Sequence, residues 1–185
     1  MKEALAILPD PEDDSNQEAL RHARDKFVTE WGAMGSMWGI SRTMAQVHAL
    51  LLVSPQPLTT DEIMEELKIS RGNAHANLRE LVGWGLIRGV IRKGERKEYF
   101  EAEKDVWRMF CVIARERKRR EIEPVVKVLR ECGETTKLLQ GAEAREFNQQ
   151  IAALRQLVEI ADTAMDKISK AEQADVMPFL TGFQG

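Results

Sequence analysis

Cysteine is scarce in this chain of 185 residues: Cys111 and Cys132 are the only two, with no CxxC spacing and no paired histidine nearby. That excludes a disulfide framework and leaves no zinc-type ligand set, so reduced, buried thiols in a cytoplasmic protein are expected. Neither a metal nor any other cofactor is expected. Long hydrophobic runs are also missing. Ala4–Leu8 is too short for a signal peptide and leads straight into PDPEDD, and no later run approaches the roughly 20 apolar residues that span a membrane. No export signal or anchor is expected. The three histidines, His22, His48 and His75, are scattered, and GxSxG, Walker and HExxH patterns are absent. Nothing gathers an acid, a base and a nucleophile, so an enzyme is not expected.

With only 6 Pro and 12 Gly against 43% hydrophobic and 31% charged residues, the composition suits a helix-rich globular protein. The length admits one large domain or a small domain with a long helical appendage. The net charge of −3 hides an asymmetry. Residues 70–100 carry seven Lys/Arg against three Glu, a local +4 that leaves −7 for everything else. A basic module on an acidic body is the electrostatic footprint of a nucleic-acid binder.

Residues 1–15, rich in Pro and acidic side chains, read as a loose tail. Residues 16–39 read as an amphipathic helix in which Leu20, Ala23, Phe27, Trp31 and Met34 recur at spacings of three and four, with Gly32, Gly35 and Gly39 breaking it. Residues 40–103 hold the densest signals. Ser41 can cap a helix over RTMAQVHALLLVS whose Met44, Val47, Leu51 and Leu52 face a core. Thr59-Thr60-Asp61-Glu62 is a capping box that opens a short helix ending near Leu67, and Ser70 can cap the next after a tight turn. Two short helices so joined make a helix-turn-helix. LIRGVIR and KEYFEAE then flank KGER, a hairpin with a basic tip. The predicted fold is therefore mainly α with a small β-hairpin wing: a winged helix-turn-helix with long N- and C-terminal helices.

Residues 104–172 read as long helices, with Pro124 kinking or splitting the first run. Later, Phe147, Ile151, Leu154, Val158, Ala161, Met165 and Ile168 alternate in steps of four and three, an a/d seam that needs a partner helix from this chain or from a second copy. The basic run Arg115–Arg120 reads as a solvated helix face partly paired with Glu116, Glu121 and Glu123 rather than as a phosphate patch. Residues 173–185 read as a tail.

Ser70–Trp84 is the segment with chemistry. Stepping 100° per residue puts Ala74, Leu78, Leu81 and Val82 on the core side, and Gly72, Asn73, Ala76, Arg79, Glu80 and Gly83 on the other. The small Gly72 and Ala76 allow close approach to a groove floor, and Arg71 and Asn73 carry the donors and acceptors that read guanine and adenine edges. Ser70 at the cap, with His75 and Asn77 on the flanks, would meet phosphates near the positive end of the helix dipole. In the 86–100 hairpin, Arg92, Lys93, Arg96 and Lys97 would reach the backbone or a narrow minor groove. The other reading of the same features is a winged-helix module that binds protein partners through its hairpin and coiled coil.

The run from GISRTMAQVHA through LLLVSPQPLTTDEIMEELKISRGNAHANLRELVGWGLIRGVIRKGERKEYFEAE resembles the GbsR-like branch of the MarR superfamily of winged-helix transcriptional regulators. The similarity covers roughly residues 27–135 and is strongest at Ser70–Asn73, Asn77–Leu81 and Trp84–Leu86. The resemblance implies a homodimer that binds a pseudo-palindromic operator on double-stranded DNA, usually as a repressor. It further implies an interface built by the terminal helices, here Leu20, Phe27 and the 147–168 seam. Some members resemble sensors of choline-like compounds, for which Trp31, Trp38, Trp107 and Phe110 are the aromatic candidates. At helical and hinge positions these four also read as core, and no small-molecule effector is assigned. Operator, regulated genes, and repression versus activation are not encoded in any motif.

Overall fold

The computed structural model describes residues 11–171, with side chains from Ser15 onward, so residues 1–10 and the expected 173–185 tail lie outside it. The chain divides into two compact units, Met1–Glu103 and Lys104–Gly185.

The first unit opens with α1 (Pro11–Met37), which begins inside the stretch expected to be a loose tail. It also runs unbroken through Gly32 and Gly35, contrary to the expectation that they end it. Both glycines are notches. A Cβ on Gly35 would lie 2.5 Å from Ala45 Cβ, and one on Gly32 would lie 2.5 Å from Gln46 Cγ, so the missing side chains let α1 lie directly on α2 (Arg42–Val53). The helix stops instead at Gly39, whose φ of +75° few other residues adopt, while the Ile40 N–H donates to the Gly35 carbonyl at 2.9 Å.

Ser41 caps α2, its Oγ accepting from the Met44 N–H at 3.4 Å. This helix is the centre of the unit: Met44, Val47, Ala49 and Leu51 are essentially inaccessible, whereas Leu52 is only half-buried. The capping box before α3 (Thr60–Leu67) is present in both halves. The Thr59 N–H donates to Glu62 Oε2 at 2.7 Å, and the Glu62 N–H donates to Thr59 Oγ1 at 3.3 Å. The bond from the Thr59 N–H, and next the Thr59 hydroxyl donating to the same Oε2 at 2.7 Å, hold the Glu62 carboxyl below the ordinary carboxylate range.

A left-handed Lys68 (φ 52°, ψ 44°) turns the chain into α4 (Arg71–Trp84). Ile63 on α3 and Ala74, Leu78 and Leu81 on α4 are buried to 1% exposure or less. Each large apolar side chain so buried contributes roughly 1.5–3 kcal/mol, enough to fix the angle between the two helices. Val82, expected in the core, is 43% exposed. Gly85 (φ +80°) ends α4 and leads into β2 (Ile87–Ile91), which pairs antiparallel with β3 (Glu98–Ala102) in the register Ile87↔Ala102 to Ile91↔Glu98. A third strand, β1 (Leu58–Thr59), was not anticipated. It pairs with β3 through Leu58↔Phe100 and Thr59↔Tyr99, giving a sheet of order β1-β3-β2.

The second unit holds α5 (Val106–Arg117), a π-helical turn over Lys118–Ile122, α6 (Glu123–Thr136) and α7 (Ala142–Lys170). Pro124 sits in the first turn of α6 with the wide π-helical turn directly before it, so the proline is accommodated by widening a continuous helix rather than by ending it. The basic run there is not simply solvated. Glu116 is 8% exposed and takes Arg119 at 2.5 Å, while Lys118 reaches Glu123 at 2.9 Å and Asp162 on α7 at 3.1 Å. Those two carboxylates, Glu123 first, raise the Lys118 pKa. The α7 seam divides. Ile151, Val158, Met165 and Ile168 are half-buried against the helices of their own unit, whereas Phe147, Leu154 and Ala161 are exposed, as are Leu157 and Ile160 beside them.

Candidate nucleic-acid interface

The start of α4 stands clear of the core because of its sequence. Ser70 is extended (φ −72°, ψ 156°), and its Oγ accepts from the Asn73 N–H at 3.3 Å, holding the first turn without using the remaining amide donors. With Ala74 and Leu78 turned inward, Arg71, Gly72, Asn73, His75, Ala76 and Arg79 are all exposed, and nothing lies within 4 Å of where a Gly72 Cβ would stand. That surface is small at Gly72 and Ala76, with donors on either side.

Arg71 and Asn77, both expected at the DNA, already have partners within the protein. Arg71 Nη2 lies 2.6 Å from Asp61 Oδ1 on α3, with more than half of each side chain exposed. An ion pair this exposed adds at most about 1 kcal/mol to stability, so its main effect is to orient the guanidinium. Asn77 is not on an outer flank as expected. It is 6% exposed, and its Nδ2 donates to Asn73 O at 2.8 Å and Asn73 Oδ1 at 2.6 Å. A helical wheel gives the direction of a side chain but not how deeply it is covered.

The wing tip turns at Gly94 (φ +87°), and Lys93, Arg96 and Lys97 are exposed. Arg92 is half-buried, its guanidinium 4.1 Å from the centre of the Tyr99 ring, and Tyr99 in turn donates its hydroxyl to Glu95. That bond to a carboxylate raises the Tyr99 pKa. Across the strands, Arg88 Nε donates to Glu101 Oε1 at 2.6 Å. Asp61, Tyr99 and Ile91, the last 89% exposed at the end of β2, were not singled out from sequence. The first two are visible only as partners of Arg71 and Arg92, which lie 10 and 7 residues away along the chain.

The aromatic candidates fall into two groups. Trp31 lies 5.3 Å from Phe27 and 6.4 Å from His48, ring centre to ring centre, in the first unit. Trp107 lies 5.4 Å from Phe110 in the second, with its Nε1–H donating to the Ala171 carbonyl at 3.0 Å. Trp38 and Phe110 are about half exposed. Among the described residues, no three of His, Cys, Asp or Glu gather as they would around a metal ion, and no helix is long and apolar enough to cross a membrane.

A basic hairpin following directly on a helix-turn-helix, tied to it by β1, is the winged-helix arrangement, and residues 38–97 match the model of the MarR family. This segment is similar to MarR-family domains. The matched segment runs from Trp38, just past α1, to Lys97 in the wing, and so contains every candidate DNA contact above. Over 121 residues the chain is 26% identical to the HTH-type transcriptional repressor GbsR of Bacillus subtilis (strain 168), covering 64% of this chain and 67% of that one. It is 22% identical over 93 residues to the HTH-type transcriptional repressor OpcR of the same organism, covering 50% of each. The chain thus spans about two thirds of one curated relative and half of the other. A solved structure of a transcriptional regulator has a TM-score of 0.49 and 22% identity, covering 78% of this chain and 99% of that one.

Proposed function

We propose that this chain is a sequence-specific regulator of transcription that binds double-stranded DNA as a homodimer on a pseudo-palindromic operator and acts as a repressor. The α4 helix enters the major groove, where Arg71 and Asn73 read base edges and Gly72 and Ala76 permit the approach. Ser70, His75 and Arg79 flank it, and Lys93, Arg96 and Lys97 of the wing hold phosphates or a narrow minor groove. Arg92 joins them once lifted from Tyr99 or acts through that ring. The observation that carries the reading is the exposed first turn of α4, small in the middle and donor-bearing at the edges, in the same compact unit as the basic hairpin. The MarR-family match and the names of the relatives support it. Pairing of two copies through the outer apolar side chains of α7, with help from Leu20 and Phe27 on α1, accounts for the large exposed hydrophobics there. Release by a small-molecule effector completes the reading, its chemistry left open.

The test is selection of bound fragments from the source genome by the purified chain. The best fragment and a scrambled duplex are then titrated at two salt concentrations. A specific duplex bound at least about a thousandfold more tightly than the scrambled one, with two-fold symmetric protection and an affinity that falls steeply with salt, is the expected result. Weak binding that treats both duplexes alike would sink it and turn attention to a protein partner for the wing.

A further inference from the structure

Asn77 is an unusual choice for a buried helix position. Asparagine is among the weaker helix formers, and a buried amide must find hydrogen bonds or lose stability. Leucine there would bring better propensity and more apolar burial. What asparagine adds is a hold on its neighbour one turn earlier: the Nδ2 group gives one hydrogen to the Asn73 carbonyl and the other to Asn73 Oδ1. The second bond fixes which way the Asn73 amide faces. With Oδ1 directed at the buried Asn77, the other branch of that planar group, Nδ2, is left on the exposed side, and Oδ1 keeps one lone pair.

We propose that Asn77 is a positioning residue that sets the hydrogen-bonding sense of Asn73, so that Asn73 meets DNA donor first and selects a base edge offering an acceptor. The proposal rests on α4 being the reading helix. Purine N7, guanine O6 and thymine O4 are such acceptors in the major groove, and adenine also supplies an N6 hydrogen for the remaining Oδ1 lone pair. Cytosine presents only its N4 donor there and is disfavoured. An unrestrained asparagine would lose this preference by turning over, and would give up rotamer freedom on binding that the Asn73–Asn77 pair has already removed.

The experiment uses the full chain and the operator found by fragment selection, with versions carrying each of the four bases at every position and a random duplex as reference. Asn77→Leu, which keeps the branched outline and drops both bonds, is expected to lower the operator-to-random affinity ratio roughly three- to tenfold, the worth of one or two hydrogen bonds. The lost discrimination should fall at the same base pair as for Asn73→Ala, and Asn77→Leu should cost little more in an Asn73→Ala background, because the two act as a unit. Asn77→Asp, an acceptor in place of the donor, should turn the Asn73 nitrogen inward and move the preference toward cytosine. Melting curves confirm folding, and Asn77→Leu carries the test if the buried acid does not fold. An unchanged ratio for Asn77→Leu, or a loss that adds in full to that of Asn73→Ala, would overturn this proposal alone. A wild-type protein that binds operator and random duplex alike would overturn it together with the reading on which it rests.

Discussion

Replacing Gly35 by alanine puts the packing of α1 on α2 to a quantitative test. In the interior of an exposed helix, Gly→Ala stabilises by about 1 kcal/mol, because alanine has less backbone freedom to lose. Here the new methyl would stand 2.5 Å from Ala45 Cβ, more than 1 Å inside the separation at which two carbon atoms attract. The two helices must part or tilt. Overpacking of this kind costs about 1–3 kcal/mol, so the variant should come out as stable as the parent or up to about 2 kcal/mol less stable, with the propensity gain cancelled. Urea unfolding followed by circular dichroism reads the difference as a shift in midpoint. Ala45→Gly supplies the control: in that background Gly35→Ala places one methyl where another has been removed, and the two substitutions should couple favourably by about 1–3 kcal/mol. A midpoint that rises by the full propensity gain in the single variant would show that α1 and α2 do not touch at this point.

Gly72→Ala inverts the logic, because nothing stands within 4 Å of its added methyl. Stability should rise by a few tenths to about 1 kcal/mol while operator affinity falls, and a variant that gains both would remove Gly72 from the groove floor. Glu62 gives a pH signature. Its folded pKa lies below its unfolded value, so its contribution is complete above the ordinary carboxylate range of about 4.3 and disappears as pH falls through the folded value. The stability advantage of the wild type over Glu62→Gln should therefore shrink between about pH 5 and pH 3, and a difference that stays constant over that span would contradict the assignment. Leu154→Glu, at a position 49% exposed within the chain, should halve the mass seen by sedimentation while leaving helix content nearly intact. An unchanged sedimentation profile would exclude α7 as the surface that pairs two copies.

Local signals in the sequence carried most of the fold. The caps at Ser41, Thr59 and Ser70, and the turns at Gly85 and Gly94, act within a few residues of chain, and all five are present in the structure. The failures came where a residue's meaning depends on a distant segment. Gly32 and Gly35 read as helix breakers because a string cannot show that Ala45 and Gln46 lie across from them. A two-residue strand such as Leu58–Thr59 has too little periodicity to register before its partner Tyr99 is in place. The seam on α7 was visible as a spacing, but its division into inward Ile151, Val158, Met165 and Ile168 and outward Phe147, Leu154 and Ala161 depends on where α5 and α6 cover it. In the candidate site, the exposure of the proposed readers Arg71 and Asn73 followed from their place in the first turn of α4. Their supports Asp61 and Asn77 did not, because the wheel shows direction but neither depth of burial nor the partner a polar group finds.

Thr59 has a wider consequence. The residue is 5% exposed, caps α3 with its side chain and pairs with Tyr99 of the wing strand through its backbone. In the proposed complex, wing and α4 become legs of one stiff caliper, the wing tied to α3 through Thr59 and α3 packed on α4. Once one leg rests on the duplex, the other is held at a high effective concentration over its own site, so the second grip forms with little further loss of freedom. The same rigidity works in reverse: a push that tilts the hairpin by a few degrees must also strain the cap of α3, and would loosen both grips together.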